Sequence, residues 1–411
     1  MTVPAGGVTE VAGTLRLPTR VHVGFGVRAQ IPQLLAPHGT RVLVLADPFL
    51  VGTPVFEEIL RDLEGAGLHA DVYTDIAPEL PIASLDAAAE RAAISAADSI
   101  LAVGGGSVVD AAKIVALSVA HGGPLSRFYG ENLVPGPVTP IVAVPTTAGT
   151  GSEVTPVAVI SDPERAMKVG ISSPFLIPAA AVVDPELTMG APAAVTAFAG
   201  VDALVHAVES FTASALSPDF TGVLPLFTGR NSLVESVALD AAARLRRWLP
   251  VAVREPGNRT AREQTALGSL QAGIAFGPTG THLSHALQYP IGSLTKSPHG
   301  LGTGLLLPYV LDRLRRDPAT AARIAALGPA LGCEADAAAV VRSIADLKSE
   351  IGVPATLADI GIVEDQLPGI ADLALQSARL VAISPVPAGR ELLLDILGRA
   401  HSGALDTKDS A

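Results

Sequence analysis

The chain has 411 residues, 49% of them apolar and only 17% charged, with a mean hydropathy of +0.44. This length exceeds what one compact core usually serves, and the composition excludes a disordered or low-complexity chain. A net charge of −12 without a Lys/Arg cluster argues against nucleic-acid and membrane partners, and the single Cys333 excludes an intrachain disulfide or a Cys-rich metal site.

In chain order, Met1–Gly13 has neither the basic nor the apolar region of a signal peptide, so a cytoplasmic location is expected. Short apolar runs follow at Val42–Leu45, Ser99–Val103, Ile141–Val144, Val157–Ile160 and Ala180–Val183. Continuous runs of this kind suit strands covered on both faces. Between them, Pro54–Glu64 places Val55, Ile59 and Leu63 on one helical face, and Ala-rich Ser84–Ala97 opens with Ser84 as a candidate N-cap. Alternating strands and helices predict a parallel sheet with helices on both sides. After Met189 the strand signal disappears. Val195–Phe211, Leu233–Leu249, Thr260–Phe276, Pro318–Leu331 and Ala337–Ile351 read as helices. The predicted organisation is an α/β unit over residues 1–190 followed by an all-helical unit over 191–411, in which only the tail after His401 looks dispensable.

Three loops after strands point to a nucleotide. Gly104, Gly105, Gly106 and Ser107 join an apolar run to a helix, so backbone N–H groups at a helix N-terminus can meet a pyrophosphate. Pro145–Ser152 is a second loop of small and hydroxyl residues, on the edge where open α/β sheets bind ligands. Asp47 ends a third run; its carboxylate would accept from ribose hydroxyls and repel a 2′-phosphate, which favours NAD over NADP. Neither GxGxxG nor GxxxxGK[ST] occurs.

A metal signal lies in the second half. Asp202 and His206 are four residues apart on a predicted helix and share a face. His282, His285 and His299 follow, the first two within the uncharged stretch Gln264–Thr295, whose Gly, Ser, Thr and Gln content fits a buried segment around a site better than a membrane span. Imidazoles with one carboxylate suit Zn2+ or Fe2+, and spacing leaves His282 and His285 as equal candidates.

Gly104–Lys113 (GGGSVVDAAK), Pro145–Thr155 (PTTAGTGSEVT), Asp184–Thr188 (DPELT), Gly200–Glu209 (GVDALVHAVE) and Pro298–Gly300 (PHG) together resemble the iron-containing alcohol dehydrogenase family, collinearly from about residue 18 to residue 399. The resemblance implies a dinucleotide-binding α/β domain and a helical metal-binding domain with the site between them. It implies Asp202, His206, His285 and His299 as metal ligands, choosing His285 over His282. It places Asp47 at the ribose, Gly104, Gly105, Gly106 and Ser107 at the pyrophosphate, and Thr146, Thr147, Thr155 and Val157 near ribose and nicotinamide. Lys168 falls on a cofactor-contacting lysine.

Where many members carry a further His four residues after the third ligand, this chain has Tyr289, a candidate for proton transfer. The His282–Pro290 segment and the long loop Phe211–Ser232 are similar to the hydroxyacid–oxoacid transhydrogenase branch, although the segment between Tyr289 and His299 is shorter here. The expected activity is reversible hydride transfer between NAD and a small primary alcohol, aldehyde or hydroxy acid, with one divalent metal, Fe2+ or Zn2+. A transhydrogenase with retained cofactor is the alternative, and a lyase of the dehydroquinate-synthase type a more distant one. Lys296, three residues before His299, is a candidate partner for a substrate carboxylate. A homo-oligomer is expected.

Overall fold

The computed structural model describes residues 13–165, 167–216 and 221–406. Its strands are β1 (Arg20–Val23), β2 (Arg41–Ala46), β3 (His69–Tyr73), β4 (Ser99–Gly104), β5 (Gly130–Glu131), β6 (Ile141–Pro145), β7 (Val157–Ile160), β8 (Val169–Ser172) and β9 (Ala180–Val183). Six of them form a sheet in the order β1-β9-β6-β4-β2-β3, with every pairing parallel. Each of β2, β4, β6 and β9 is buried almost throughout, which is why apolar residues run through them without alternation. Helices α1 (Ile31–Leu35), α2 (Pro54–Gly65), α3 (Ile82–Ile94) and α4 (Gly106–His121) cover the sheet.

Two expectations need correction here. Val157–Ile160 is a strand, but it belongs to a separate three-stranded mixed sheet, β5-β8-β7, in which β7 runs antiparallel to β8. Ser84 does not cap a helix: α3 begins at Ile82 behind Pro81, and Ser84 Oγ accepts from the Ala77 N–H at 3.0 Å, tying down the preceding loop.

The second half is helical: α5 (Ala193–Thr212), α6 (Glu235–Arg254), α7 (Arg259–Thr279), α8 (Leu283–Thr295), α9 (His299–Leu314), α10 (Pro318–Ala325), α11 (Ala337–Glu350), α12 (Leu367–Ala374), α13 (Ala378–Ala382) and α14 (Arg390–Ser402). The 20-residue α5 is apolar and long enough to cross a membrane, yet it lies inside the bundle with Val201, Leu204, Val205 and Val208 packed against its neighbours. Each such fully buried side chain contributes about 1.5–3 kcal/mol. Glycine permits the closest approaches. A Cβ at Gly300 would stand 2.1 Å from the Phe198 carbonyl, so α9 can rest directly on α5. Gly151, at φ 64°, faces Gly273 of α7, where a Cβ would come within 2.5 Å of the Gly273 Cα. The second of these contacts sets the helical bundle against a loop of the α/β half.

Candidate functional site

The sheet order places β6, β4 and β2 side by side, so the segments following them meet at one edge. After β4, Gly105 is the N-cap of α4 and no side chain caps that helix. The first intrahelical bonds come from Val108 and Val109 to the Gly105 carbonyl. The N–H groups of Gly106 and Ser107 thus lie in the uncapped first turn, where anions are favoured. The glycines also solve a packing problem: a Cβ at Gly104 would stand 2.5 Å from Val108 Cγ2 and 2.8 Å from Asp47 Oδ2.

Asp47, after β2, accepts from the Gly105 N–H at 2.8 Å, so it braces the glycine loop. Burial raises its pKa, partly opposed by the hydrogen bond from Gly105.

Across the cavity, α5 carries Asp202, His206 and Glu209 on one buried face. The nearest ligand atoms of Asp202, His206 and His285 all lie within 4.8 Å of one another. The Nε2 atoms of His206, His285 and His299 each stand 3.8 Å from an Asp202 carboxylate oxygen. That is too far for a hydrogen bond and suitable for atoms sharing a central cation. His285 Nδ1 meets Glu209 Oε2 at 2.8 Å, while its Nε2 is buried with no hydrogen-bond partner. An orphaned, oriented ring nitrogen beside a buried carboxylate fits a metal ligand. His299, the first residue of α9, stands outside that three-residue group, at the rim, with a side chain 38% exposed. Four residues later, Thr303 Oγ1 donates to Asp202 Oδ1 at 2.6 Å.

Burial pushes the pKa of His206 down to about 4, against the opposing pull of Asp202, so its ring is neutral at pH 7, the form a metal requires; the His299 pKa is lowered in the same direction. Burial would raise Asp202, but the surrounding histidines outweigh it and hold the carboxyl low.

The structure separates the two histidines that spacing left equal. His282 is fully buried between Glu209, with Nδ1 3.2 Å from Oε1, and Thr212, whose hydroxyl meets Nε2 at 2.9 Å. It supports the cluster without entering it. Glu209, which sequence reasoning passed over, organises the whole segment. Its carboxylate accepts from the backbone N–H groups of His282 and Ser284 at 2.8 and 2.7 Å, so a side chain of α5 caps α8, besides holding His285. The signal was available, because Glu209 lies seven residues after Asp202 and so on the same helical face.

The cluster opens into a cavity of about 240 Å³ lined by residues from both halves. Gly106, Ser107, Thr155, Val157, Lys168, Asp202, His206, His285, Tyr289 and His299 reach it; Asp47, Gly104, Gly105, Thr146 and Thr147 do not. Thr147 lines a smaller pocket with Thr196 and Arg262. The Tyr289 ring stacks on His299 at 6.1 Å, and burial raises its pKa, so the phenol is protonated at neutral pH. Lys168 pairs with Glu79 at 2.5 Å. Lys296 is exposed at the end of α8 and does not line the cavity. Of the long loop 211–232, residues 217–220 lie outside the described residues. Its end docks on α7, with the N–H groups of Thr228 and Gly229 donating to the carbonyls of Pro278 and Thr279. Phe227 is thereby placed in the cavity wall.

Beneath the loops, and also missed from sequence, Lys113 is fully buried. Its ammonium donates to Ser152 Oγ and to the carbonyls of Thr155 and Val157 at 2.7–2.9 Å. Asp110 accepts from Ser152 Oγ and from the Val159 N–H.

Comparison with known proteins agrees over nearly the whole chain. A long-chain-alcohol dehydrogenase of Geobacillus thermodenitrificans is 33% identical over 399 residues, covering 94% of this chain and 96% of that protein. A mitochondrial hydroxyacid-oxoacid transhydrogenase of Caenorhabditis elegans is 31% identical, covering 93% and 88%. The crystal structure of sulfoacetaldehyde reductase from Bifidobacterium kashiwanohense in complex with NAD+ superposes with a TM-score of 0.82 at 28% identity, covering 95% of this chain and 99% of that one. Residues 18–185 match the family described as iron-containing alcohol dehydrogenase, and residues 196–401 match that family's C-terminal part. With both halves matched in order, the chain belongs to the iron-containing alcohol dehydrogenase family and is an oxidoreductase of that family.

Proposed function

We propose that the protein is an NAD-dependent dehydrogenase of small primary alcohols or hydroxy acids that uses one divalent metal, Fe2+ or Zn2+. Asp202, His206, His285 and His299 would hold the metal, and the boundary between nucleotide and metal units would fall near residue 190. One observation carries this reading: the cluster with its orphaned His285 nitrogen and the uncapped start of α4 face the same cavity. Relatives named for alcohols, a hydroxyacid and sulfoacetaldehyde, the last with NAD+ bound, support it.

A cation there would act as a Lewis acid on the substrate oxygen, and a nicotinamide would exchange the hydride. The chain's own residues do the rest. The Gly106 and Ser107 N–H groups would meet the pyrophosphate, and Asp47 would turn its carboxylate toward the ribose while still bracing Gly105. Glu209 fixes the His285 tautomer, and Thr303 fixes the Asp202 rotamer. Tyr289, a protonated phenol in the cavity wall beside His299, is the group we assign to pass the proton between substrate and solvent.

The test is NADH formation with a panel of primary alcohols, on protein of measured metal content, before and after chelation. Activity should require the metal and return on adding Fe2+ or Zn2+. Full activity in metal-stripped protein, or a higher kcat/KM with NADP, would refute the reading.

A further inference from the structure

Two cationic side chains line the cavity, and they are not equivalent. The Lys168 ammonium is engaged by Glu79 at 2.5 Å. Arg379, near the start of α13, is held differently. Its guanidinium carbon lies 4.1 Å over the Phe227 ring, and its Nε is 3.5 Å from Glu131 Oε1. Among the described residues, no hydrogen bond engages either terminal nitrogen. The guanidinium is seated on an aromatic ring, its inner nitrogen has a carboxylate nearby, and the outer pair of donors is left over.

The acids that share the cavity wall do not account for that pair. Glu79 is matched by Lys168, Asp110 is occupied by Ser152 and the Val159 N–H, and Asp202 belongs to the histidine cluster. A neutral alcohol would leave the two terminal nitrogens without an anionic partner in a partly desolvated site. A carboxylate would take both, because the flat guanidinium fork matches its two oxygens. Lys296, the candidate from sequence, is exposed and outside the cavity wall.

We propose that Arg379 is a specificity-determining residue that binds a substrate carboxylate, and that the substrate class is therefore a short hydroxy acid and its aldehyde acid. The inference rests on the dehydrogenase reading above. In the oxidative direction the carbinol C–H bond breaks, with hydride passing to NAD+. The hydroxyl proton leaves to solvent, giving the aldehyde and NADH. The carboxylate on Arg379 is unchanged.

The experiment compares kcat/KM for 4-hydroxybutyrate and 1-butanol in the metal-loaded enzyme, in Arg379→Met, which keeps an unbranched side chain of similar length without the charge, and in Arg379→Lys, which keeps the charge. The wild type should prefer the acid. Arg379→Met should lower the acid-to-alcohol ratio by roughly tenfold to a hundredfold, chiefly through the KM for the acid, and Arg379→Lys should recover part of the loss. Calorimetry should show a parallel weakening of butyrate binding to the Met variant. Equal losses for acid and alcohol, or a ratio the Met variant does not change, would overturn the carboxylate assignment while leaving the dehydrogenase reading intact. A wild type that oxidises neither compound would overturn that reading and this inference with it.

Discussion

Two buried polar networks face each other across the cavity, and they are finished to different degrees. Beneath the glycine loops, the Lys113 ammonium has an acceptor for each of its three N–H bonds, and Asp110 is bonded through both carboxylate oxygens. In the helical half, Glu209 is equally saturated, but the imidazole it orients ends in a buried nitrogen with no partner. A network that closes on itself is scaffolding. One that stops at an oriented, unsatisfied atom has a donor position left to offer.

The sharpest way to break the comparison is to remove the unsatisfied atom. His285→Ala should abolish metal retention and lower turnover by about a thousandfold or more, because the remaining ligands hold a cation weakly and the substrate oxygen loses its Lewis acid. His282→Ala should retain metal, since His282 lies behind the cluster. Metal analysis of both purified variants decides this, and the opposite pattern would exchange their roles. Glu209→Gln tests the support behind the ligand. It should weaken metal affinity by roughly tenfold to a hundredfold, the usual cost of losing a carboxylate that orients a metal-bound histidine. Competition with a chelator would measure it. Tyr289→Phe should slow turnover by about tenfold to a hundredfold with metal and NAD affinities unchanged. An unchanged rate would return Tyr289 to packing against His299.

How far these networks could be read from sequence follows from what each kind of signal depends on. Continuous apolar runs disclosed β2, β4, β6 and β9 because those strands are covered on both faces; β1 and β3, the sheet edges, are half-exposed and lack such runs. The helices carrying His285 and His299 escaped periodicity because Pro290 and Pro308 lie inside them and Gly, Ser and Thr interrupt their apolar faces. The members of the cluster were legible as residue types. That His285 rather than His282 faces Asp202 was not legible from spacing, since it depends on a carboxylate from another helix. Glu209 itself shares the helical face of Asp202 and His206 and could have been found. Arg379 could not: it lies 80 residues after His299, and only tertiary packing on Phe227 brings it to the cavity.

On the cofactor side, Asp47→Gly should move the preference from NAD toward NADP by about tenfold, since the carboxylate that would repel a 2′-phosphate is gone. The same change removes the acceptor of the Gly105 N–H, so some loss of affinity for both cofactors is expected. The ratio of kcat/KM values isolates the charge effect. A ratio that stays constant would confine Asp47 to bracing the loop.

The smallest expected effect tests whether the Lys113 network is scaffolding. Lys113→Met should leave metal content unchanged and lower stability by about 1–3 kcal/mol at pH 7, because Ser152 and the carbonyls of Thr155 and Val157 lose a buried donor. Its pH dependence carries a sign. Burial lowers the Lys113 pKa from 10.5 to about 8, against the pull of Asp110 and Glu153. Between those values the unfolded chain binds the proton and the folded chain does not. The lysine's contribution to stability therefore rises from pH 8 to 10.5 and is flat below that window. The stability gap between wild type and Lys113→Met should accordingly widen across it, as measured by denaturant unfolding at each pH. A gap that narrows would mean that the folded protein holds the proton more tightly than the unfolded chain. The ammonium would then have to gain more from its three acceptors than burial takes from it.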